Sequence, residues 1–495
     1  MTSSPISRRR STPWTETHTP MKLYRKITRE IDEAPKGPEI AALFDFDGTL
    51  IAGFSVFSFF REQLLRGDLS RGQVMQLAAA GAGYGMGNLG FSGLLVASAR
   101  MMRGLTVEQF ETLGREVFEK HIAKVIYPEA RALVEAHQKR GHTVAIVSSA
   151  TRFQVEDAAE ILGIEHVLCS ELESEDGVFT GEIVRPTCWG EGKVTAAETL
   201  AAEHGLDLDR SYFYSDSNDD LPLLDRVGNP RPLNPNPKLV EASEERGWPV
   251  RRFASRGRPR PTDLLRTAAA TGSMIPSFLA GLPIWALTGS KQEGLNFSMS
   301  LFADVASAFI GLNLDVEGES HLWEHRPAVF VFNHQSQADV VIIARLLRRD
   351  LAGVGKKEIG KVPVLGQIMQ FAGTVMIDRS DATKAVESMR RLVDTIRVEG
   401  KSVVIAPEGT RTVSTRLGPF KKGAFHLAQQ AGVPIVPIVI RNALDVSPKG
   451  DLLFHPATVG VTVLEPVDTS DWTPETMDAH VAEVRQRFLV ALEQD

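Results

Sequence analysis

Two carboxylates one residue apart, Asp45 and Asp47 in DFDGTL, close an apolar run, Ile40 to Phe46, of the kind that forms a buried strand. Ionising one carboxylate beside another is costly, so such a pair suits either a hard cation or a division of nucleophile and acid duties. Gly48 relieves the steric demand of the turn, and Thr49 adds a hydroxyl. Ser148 ends a second strand-like run that begins at Thr143, and Lys193 is an isolated cation in WGEGKVTAAETL. Asp216 and Asp220 frame the loop after a third run, Tyr212 to Tyr214. Phosphoryl transfer needs this set: a nucleophile, a metal, and positive or hydrogen-bonding groups for the equatorial oxygens.

A different set occupies the C-terminal half. His334 closes AVFVFNH, and Asp339 follows five residues later. Across a strand-to-helix corner the carboxylate can fix the ring tautomer while the other nitrogen accepts an alcohol proton. Arg379, after GTVMID, and Arg411, in APEGTR, supply guanidinium groups fitted to bidentate phosphate recognition, with Glu408 at the end of its own strand. Ser336 lies between His334 and Asp339, but no G-x-S-x-G elbow surrounds it, which argues against a serine nucleophile.

These groups need strand ends to hold them. Strand, polar loop and helix alternate from about residue 39, and again beyond Pro327, so the fold class expected is α/β twice over, with ligand groups at the carboxyl ends of parallel strands. The halves share no motif that would make them repeats. The pattern turns helical from Ile51 to about Val125, as in SVFSFFREQLL, which marks an insertion. The expected division is a flexible basic tail over 1–38, a first domain over 39–250 with a cap at about 51–128, a Pro/Arg/Gly-rich linker over 251–270, an apolar membrane-associating helical segment over 271–314, and a second domain over 315–495. Thr271 to Ser290 carries no charge, and Leu295 to Leu314 carries only Asp304. The two are expected to form an apolar helical hairpin at the start of the second domain, lying partly in a leaflet, with true spanning or packing on protein or at a dimer seam as alternatives. The Ala/Gly-rich stretch Leu77 to Ala99 is suited to a membrane contact or to a homodimer seam.

Composition narrows the classes. A chain of 495 residues, 43% hydrophobic and 24% charged, can build more than one core. A net charge of −7 gives no general pull toward nucleic acid, and the basic stretches lack an aromatic ladder. Two cysteines, Cys169 and Cys188, fit a reducing compartment and exclude a disulfide scaffold. No apolar h-region precedes the first strand, so no secretory signal is expected.

The N-terminal half resembles the haloacid-dehalogenase-like phosphatases, in particular the phosphoserine-phosphatase-like branch. The resemblance spans roughly residues 39–250 and rests on DFDGT, VAIVSSAT, Lys193 and YSDSNDDLPLL. It implies a Rossmann-like core with a helical cap, in which Asp45 forms an aspartyl-phosphate while Asp47 protonates the leaving group and then activates water. It also implies Mg2+ held by Asp45, the backbone carbonyl at Asp47 and Asp216, with Asp220 supporting that shell, and phosphoryl oxygens bound by Thr49, Ser148 and Lys193. Phe54 stands where phosphoserine-specific members carry an acidic residue for the substrate ammonium. That points to a phosphorylated compound with an apolar portion.

The C-terminal half resembles the glycerolipid acyltransferases, specifically the 1-acylglycerol-3-phosphate acyltransferases, over about residues 290–445. NHQSQAD, VMIDR, PEGTR and VPIVPIVI carry the resemblance. It implies that His334 deprotonates the free hydroxyl of lysophosphatidate for attack on acyl-CoA, the co-substrate, with Asp339 orienting the ring. Arg379, Glu408, Gly409, Thr410 and Arg411 would organise the acceptor-phosphate site, where like charge makes Glu408 an anchor for a guanidinium or the loop rather than a phosphate contact. The implied whole is a bifunctional phospholipid-metabolism enzyme on anionic membrane lipids at the cytoplasmic face of the cell membrane, peripheral or monotopic. Two alternatives stand beside it: a phosphatase half acting on unrelated small phosphates, including phosphoserine, and a catalytically inactive membrane scaffold.

Overall fold

The computed structural model describes residues 20–67, 72, 75, 99–100, 102–253, 255–257, 259–361, 365–377, 382–413 and 415–494. The expectations for Leu77 to Ser98 and for Arg379 lie outside the described residues.

The first sheet is all parallel, with order β3-β2-β1-β6-β7: His166–Ser170, Thr143–Thr151, Ala41–Phe44, Tyr212–Ser215 and Asn229–Pro232. Every residue of β1 is buried, as a central parallel strand covered on both faces requires. One face packs Ala42 and Phe44 with the cap and the helix Pro128–Lys139; the other packs Ala41 and Leu43 with the helix Glu191–His204. β4 (Leu172–Glu175) and β5 (Val178–Ile183) form a separate antiparallel pair. The cap contributes Ser55–Arg66 and Val107–Val117, the latter opened by a capping box between Thr106 and Gln109.

The tail expected over 1–38 is not wholly a tail. Pro20–Asp32 forms a helix, α1, that packs on Pro128–Lys139, α2. Ile27, Thr28 and Ile31 share one of its faces, Thr28 and Ile31 are buried, and this short apolar stripe outweighs the basic composition around it.

The second sheet has order β11-β10-β12-β9-β13-β14-β8: Val375–Ile377, Leu351–Lys356, Ser402–Ile405, Val329–Phe332, Ile435–Ile440, Ala457–Val463 and Leu312–Glu317. Only the β13–β14 pairing is antiparallel. β8 starts at Leu312 inside the expected 271–314 segment, because pairing with β14 draws it into the domain sheet. The expected linker is likewise shorter, since a helix with proline in its first turn starts at Pro261.

The helices Pro261–Gly272, Met274–Leu279 and Gly281–Thr288 follow one another and pack along Lys291–Ile310, α3. Their crossing depends on glycine: a Cβ on Gly281 would lie 2.1 Å from Ser298 Oγ and 2.3 Å from the Gly294 carbonyl oxygen. Taken together, Pro261–Thr288 is long and apolar enough to cross a membrane by length and composition, and only 22% of its most apolar window is buried. Leu265, Leu279, Leu282 and Leu287 are exposed.

Candidate functional sites

The first site forms where β1, β2 and β6 end side by side. Asp45 follows β1, and its amide donates to the Tyr214 carbonyl of β6 at 2.9 Å, which brings the Asp45–Asp47 corner against the Asp216–Asp220 loop. Gly48 has φ +77°, and a Cβ there would lie 2.1 Å from Asp216 Oδ2, so the turn admits no side chain. Lys193, in the first turn of Glu191–His204, is 2% exposed and donates to Asp45 Oδ1 and Asp220 Oδ2, both at 2.8 Å. Ser215 Oγ donates to Asp220 Oδ2 at 2.6 Å. Asp47 turns the other way, accepting from the Ser55 amide at 2.7 Å and from Ser55 Oγ at 3.1 Å. Gln154 Nε2 donates to Ser55 Oγ at 2.9 Å, so the first residue of the cap helix ties the Asp47 carboxylate to the core.

The electrostatics are lopsided. Asp45, Asp47, Asp216 and Asp220 face the single ammonium of Lys193. Burial pushes Asp45 up to about 6 against the pull of Lys193, and burial together with the charge of Asp45 pushes Asp47 up to about 7 although Ser55 opposes it. Asp216 is held well above the ordinary carboxylate range by loss of water and by the charges of Asp45 and Asp220. Burial alone would lower Lys193, but Asp220 and Asp45 hold it above its usual value.

The cation site expected from Asp45, Asp47, Asp216 and Asp220 is not ready-made. Among the described residues no three His, Cys, Asp or Glu side chains stand together as metal ligands, and Lys193 and Ser55 engage three of these four carboxylates. The donor set nevertheless fits a hard divalent cation: oxygen-only ligands, excess negative charge and the Gly48–Asp216 cradle. Thr49 Oγ1 is buried without a hydrogen-bond partner among the described residues, and Ser148, also buried, accepts from the Ala150 amide at 3.2 Å. Sequence reasoning missed Ser55, Gln154 and Ser215. Only the capping-box spacing of Thr151 and Gln154 carried a signal, and it spoke for a helix start rather than for a site.

The second site sits at the end of β9. His334 Nδ1 lies 2.7 Å from Asp339 Oδ2, and the same oxygen accepts from the Gln335 and Ser336 amides at 2.9 Å each. Asp339 is fully buried and His334 is partly exposed. With the carboxylate as acceptor, the ring proton belongs on Nδ1, leaving Nε2 as a base toward solvent. Ser336 Oγ donates to the Ser447 carbonyl at 2.7 Å rather than to His334, which fits a structural serine.

Glu408 lies beneath this corner. Its Oε1 accepts from the His334 amide at 2.8 Å and its Oε2 from the Gly418 amide at 3.0 Å. Burial raises its pKa, opposed by those two amides. Glu408 thus ties the His334 corner to the loop at Gly418, the anchoring position that its charge predicts within the motif. Gly409 and Thr410 continue that loop, and the Thr412 amide donates to the His334 carbonyl at 3.1 Å. Arg411 is partly exposed and makes no hydrogen bond or ion pair with any described residue. Sequence reasoning missed Asn333, whose side chain donates to the Ile440 carbonyl at 2.6 Å and accepts from the Ile440 amide at 2.7 Å, pinning the strand end to β13.

The two halves match different proteins. A model of the haloacid dehalogenase-like hydrolases matches residues 42–225, and a model of the acyltransferases matches residues 313–441. The chain is 33% identical over 211 residues to the 1-acyl-sn-glycerol-3-phosphate acyltransferase of Saccharomyces cerevisiae, a match that covers 42% of this chain and 69% of that one. It is 33% identical over 256 residues to a Mycobacterium tuberculosis protein named "Probable phosphatase", covering 50% of this chain and 88% of that one. Among solved structures, the 1-acyl-sn-glycerophosphate acyltransferase of Thermotoga maritima shares 24% identity with a TM-score of 0.40, covering 47% of this chain and 97% of that one.

Proposed function

Since the chain belongs to the haloacid dehalogenase-like hydrolases through one half and to the acyltransferases through the other, we propose that it acylates 1-acyl-sn-glycerol 3-phosphate from acyl-CoA and hydrolyses a phosphomonoester on an apolar alcohol. The observation that carries this reading is a separate acid–base set at the strand ends of each half: His334 with Asp339, and Asp45 with Lys193, Asp220 and Asp47.

In acyl transfer, His334 Nε2 takes the proton of the free glycerol hydroxyl, and the oxygen attacks the thioester carbonyl carbon. The carbon–sulfur bond breaks, and the CoA thiolate takes the proton from the imidazolium. Asp339 stabilises that imidazolium through Nδ1. Arg411, and Arg379 by its motif, are offered to the acceptor phosphate.

In hydrolysis, an Asp45 oxygen attacks phosphorus, the ester P–O bond breaks, and Asp47 gives its proton to the leaving oxygen. Water then attacks the aspartyl-phosphate, its proton passes to Asp47, and phosphate leaves. The raised pKa of Asp47 suits the acid role, and Lys193 favours Asp45 as the carboxylate. Magnesium would be held by Asp45, the Asp47 carbonyl and Asp216, with Asp220 behind them, and would supply positive charge to the phosphoryl oxygens. Phe54 and Phe57, exposed at the start of the cap helix with ring centroids 6.1 Å apart, favour an apolar substrate portion. The exposed apolar face of Pro261–Thr288 supports residence on a membrane surface.

The test is a mass-spectrometric survey of purified wild type, Asp45→Asn and His334→Ala with magnesium, acyl-CoA, lysophospholipids and small phosphate esters. The reading requires phosphatidate formation that depends on His334 and lipid dephosphorylation that depends on Asp45. Phosphate release from small esters alone would remove the lipid phosphatase part. Phosphatidate formation by His334→Ala would remove the acyltransferase mechanism.

A further inference from the structure

The segment that braces the His334 corner is itself gripped by residues of the first half. Asp445, 4% exposed, lies just beyond β13 and accepts from Asn442 Nδ2 at 2.9 Å. Its other partners come from far away in the chain: Tyr24 Oη of α1 at 2.9 Å and Arg131 Nη1 of α2 at 3.3 Å. Arg256 adds donations to the carbonyls of Leu444 at 3.0 Å and of Asp445 at 3.4 Å. Burial and the Asp445 charge raise the Tyr24 pKa, so the phenol remains a donor.

The same segment continues into the residues that hold the acyl-transfer motif. Ser447 offers its carbonyl to Ser336, Asp451 offers its carbonyl to Gln337 Nε2, and Ile440 clasps Asn333. The His455 amide closes the segment on the Val446 carbonyl at 2.8 Å. Beside the grip lies a cavity of about 160 Å³ bordered by Lys124, Arg256, Asp451 and His455. At that place the halves are joined by polar links from Tyr24, Arg131 and Arg256.

We propose that Arg131 and Tyr24, which belong to the phosphatase half, are positioning residues for acyl transfer: by holding Asp445 they set the 440–455 segment, and through it the placement of His334. This rests on the reading of His334 as the base. The physical warrant is an unbroken chain of contacts from α2 to the residues flanking His334, and its energy must be measured rather than assumed.

Arg131→Met keeps the aliphatic stem and removes the charge, and Tyr24→Phe removes only a hydroxyl in case the first variant folds poorly. With full-length protein, kcat for lysophosphatidate acylation should fall by about 2- to 30-fold in either variant, the range of coupling through contiguous contacts. KM for acyl-CoA and phosphate release from a small ester should stay at wild-type values. Arg131→Lys should restore part of kcat, and Arg131→Met combined with Asp445→Asn should cost no more than the worse single change. Wild-type kcat in both Arg131→Met and Tyr24→Phe would overturn the proposal. So would a rise in KM alone, or equal losses in both reactions with no rescue by lysine. His334→Ala run alongside separates the failures: if it still acylates, the base assignment falls and takes the proposal with it; if it is inactive while Arg131→Met and Tyr24→Phe are normal, only the proposal falls.

Discussion

The phosphatase site crowds four carboxylates around one ammonium, whereas the acyltransferase site pairs buried Asp339 with a partly exposed imidazole, sets Glu408 against backbone amides, and has in Arg411 a cation that pairs with no described residue. Asp339 Oδ2 takes three donors, the His334 ring and two backbone amides, while Asp339 Oδ1 is buried without a hydrogen-bond partner among the described residues. The first carries uncompensated charge, seen in the raised pKa values of Asp45, Asp47 and Asp216. Preorganising a base takes few groups when the backbone supplies the donors. Preparing for a phosphoryl dianion and a cation gathers side chains whose own charges repel.

The largest test of this contrast is separability. Asp45→Asn should take phosphate release to background and leave acyl transfer intact, while His334→Ala should lower acyl transfer by about 10²- to 10⁴-fold and leave phosphate release intact. A single substitution that silences both reactions would break the comparison, by making one site subordinate to the other.

Next is the asymmetry in stability. Lys193→Met strands buried carboxylates and should cost about 3–5 kcal/mol in denaturant unfolding of the first half without magnesium. Arg411→Gln, at a partly exposed cation that pairs with no described residue, should stay within about 0.5 kcal/mol while raising KM for lysophosphatidate. Equal costs would mean that the two sites are not built differently after all.

A smaller effect is expected at Glu408. Glu408→Gln exchanges one carboxylate acceptor for an amide donor facing a backbone N–H, a change of about 1–3 kcal/mol. Acyl transfer should fall roughly 10-fold, with phosphate release unchanged; a loss expressed only in KM would argue that Glu408 faces substrate instead.

The smallest expected effect is a pH dependence confined to one half. Asp45, Asp47 and Asp216 have folded pKa values above their unfolded ones, so between the two the native state binds more protons and stability falls as pH rises. In EDTA the melting temperature of the first half should drop by a few degrees between about pH 5 and pH 7.5, and magnesium should reverse the drop. The second half, where His334 and Asp339 are already paired, should not respond to magnesium.

Much of this architecture was legible because its signals are local. DFDGTL announces a strand end with two carboxylates, and NHQSQAD places an imidazole and a carboxylate across one corner, where neighbouring backbone geometry settles the contact. Other parts were not. Helix α1 lay in a stretch whose composition reads as tail, and its burial depends on α2 being there to receive Ile27 and Ile31. Glu408 was legible as an anchor from its charge, but the two amides it holds, of His334 and Gly418, were not.

By itself the sequence determined the two α/β cores and the carboxylates and imidazole at their strand ends, because strand periodicity and spacings of five residues or fewer act within one local backbone path. Only the tertiary structure decided that Lys193 would reach Asp45, that Ser55 would hold Asp47, and that Tyr24 and Arg131 would grip Asp445. Those partners are brought together by the order of strands and the docking of one half on the other. Contacts of that range are set by which surfaces bury each other, and no local pattern records them.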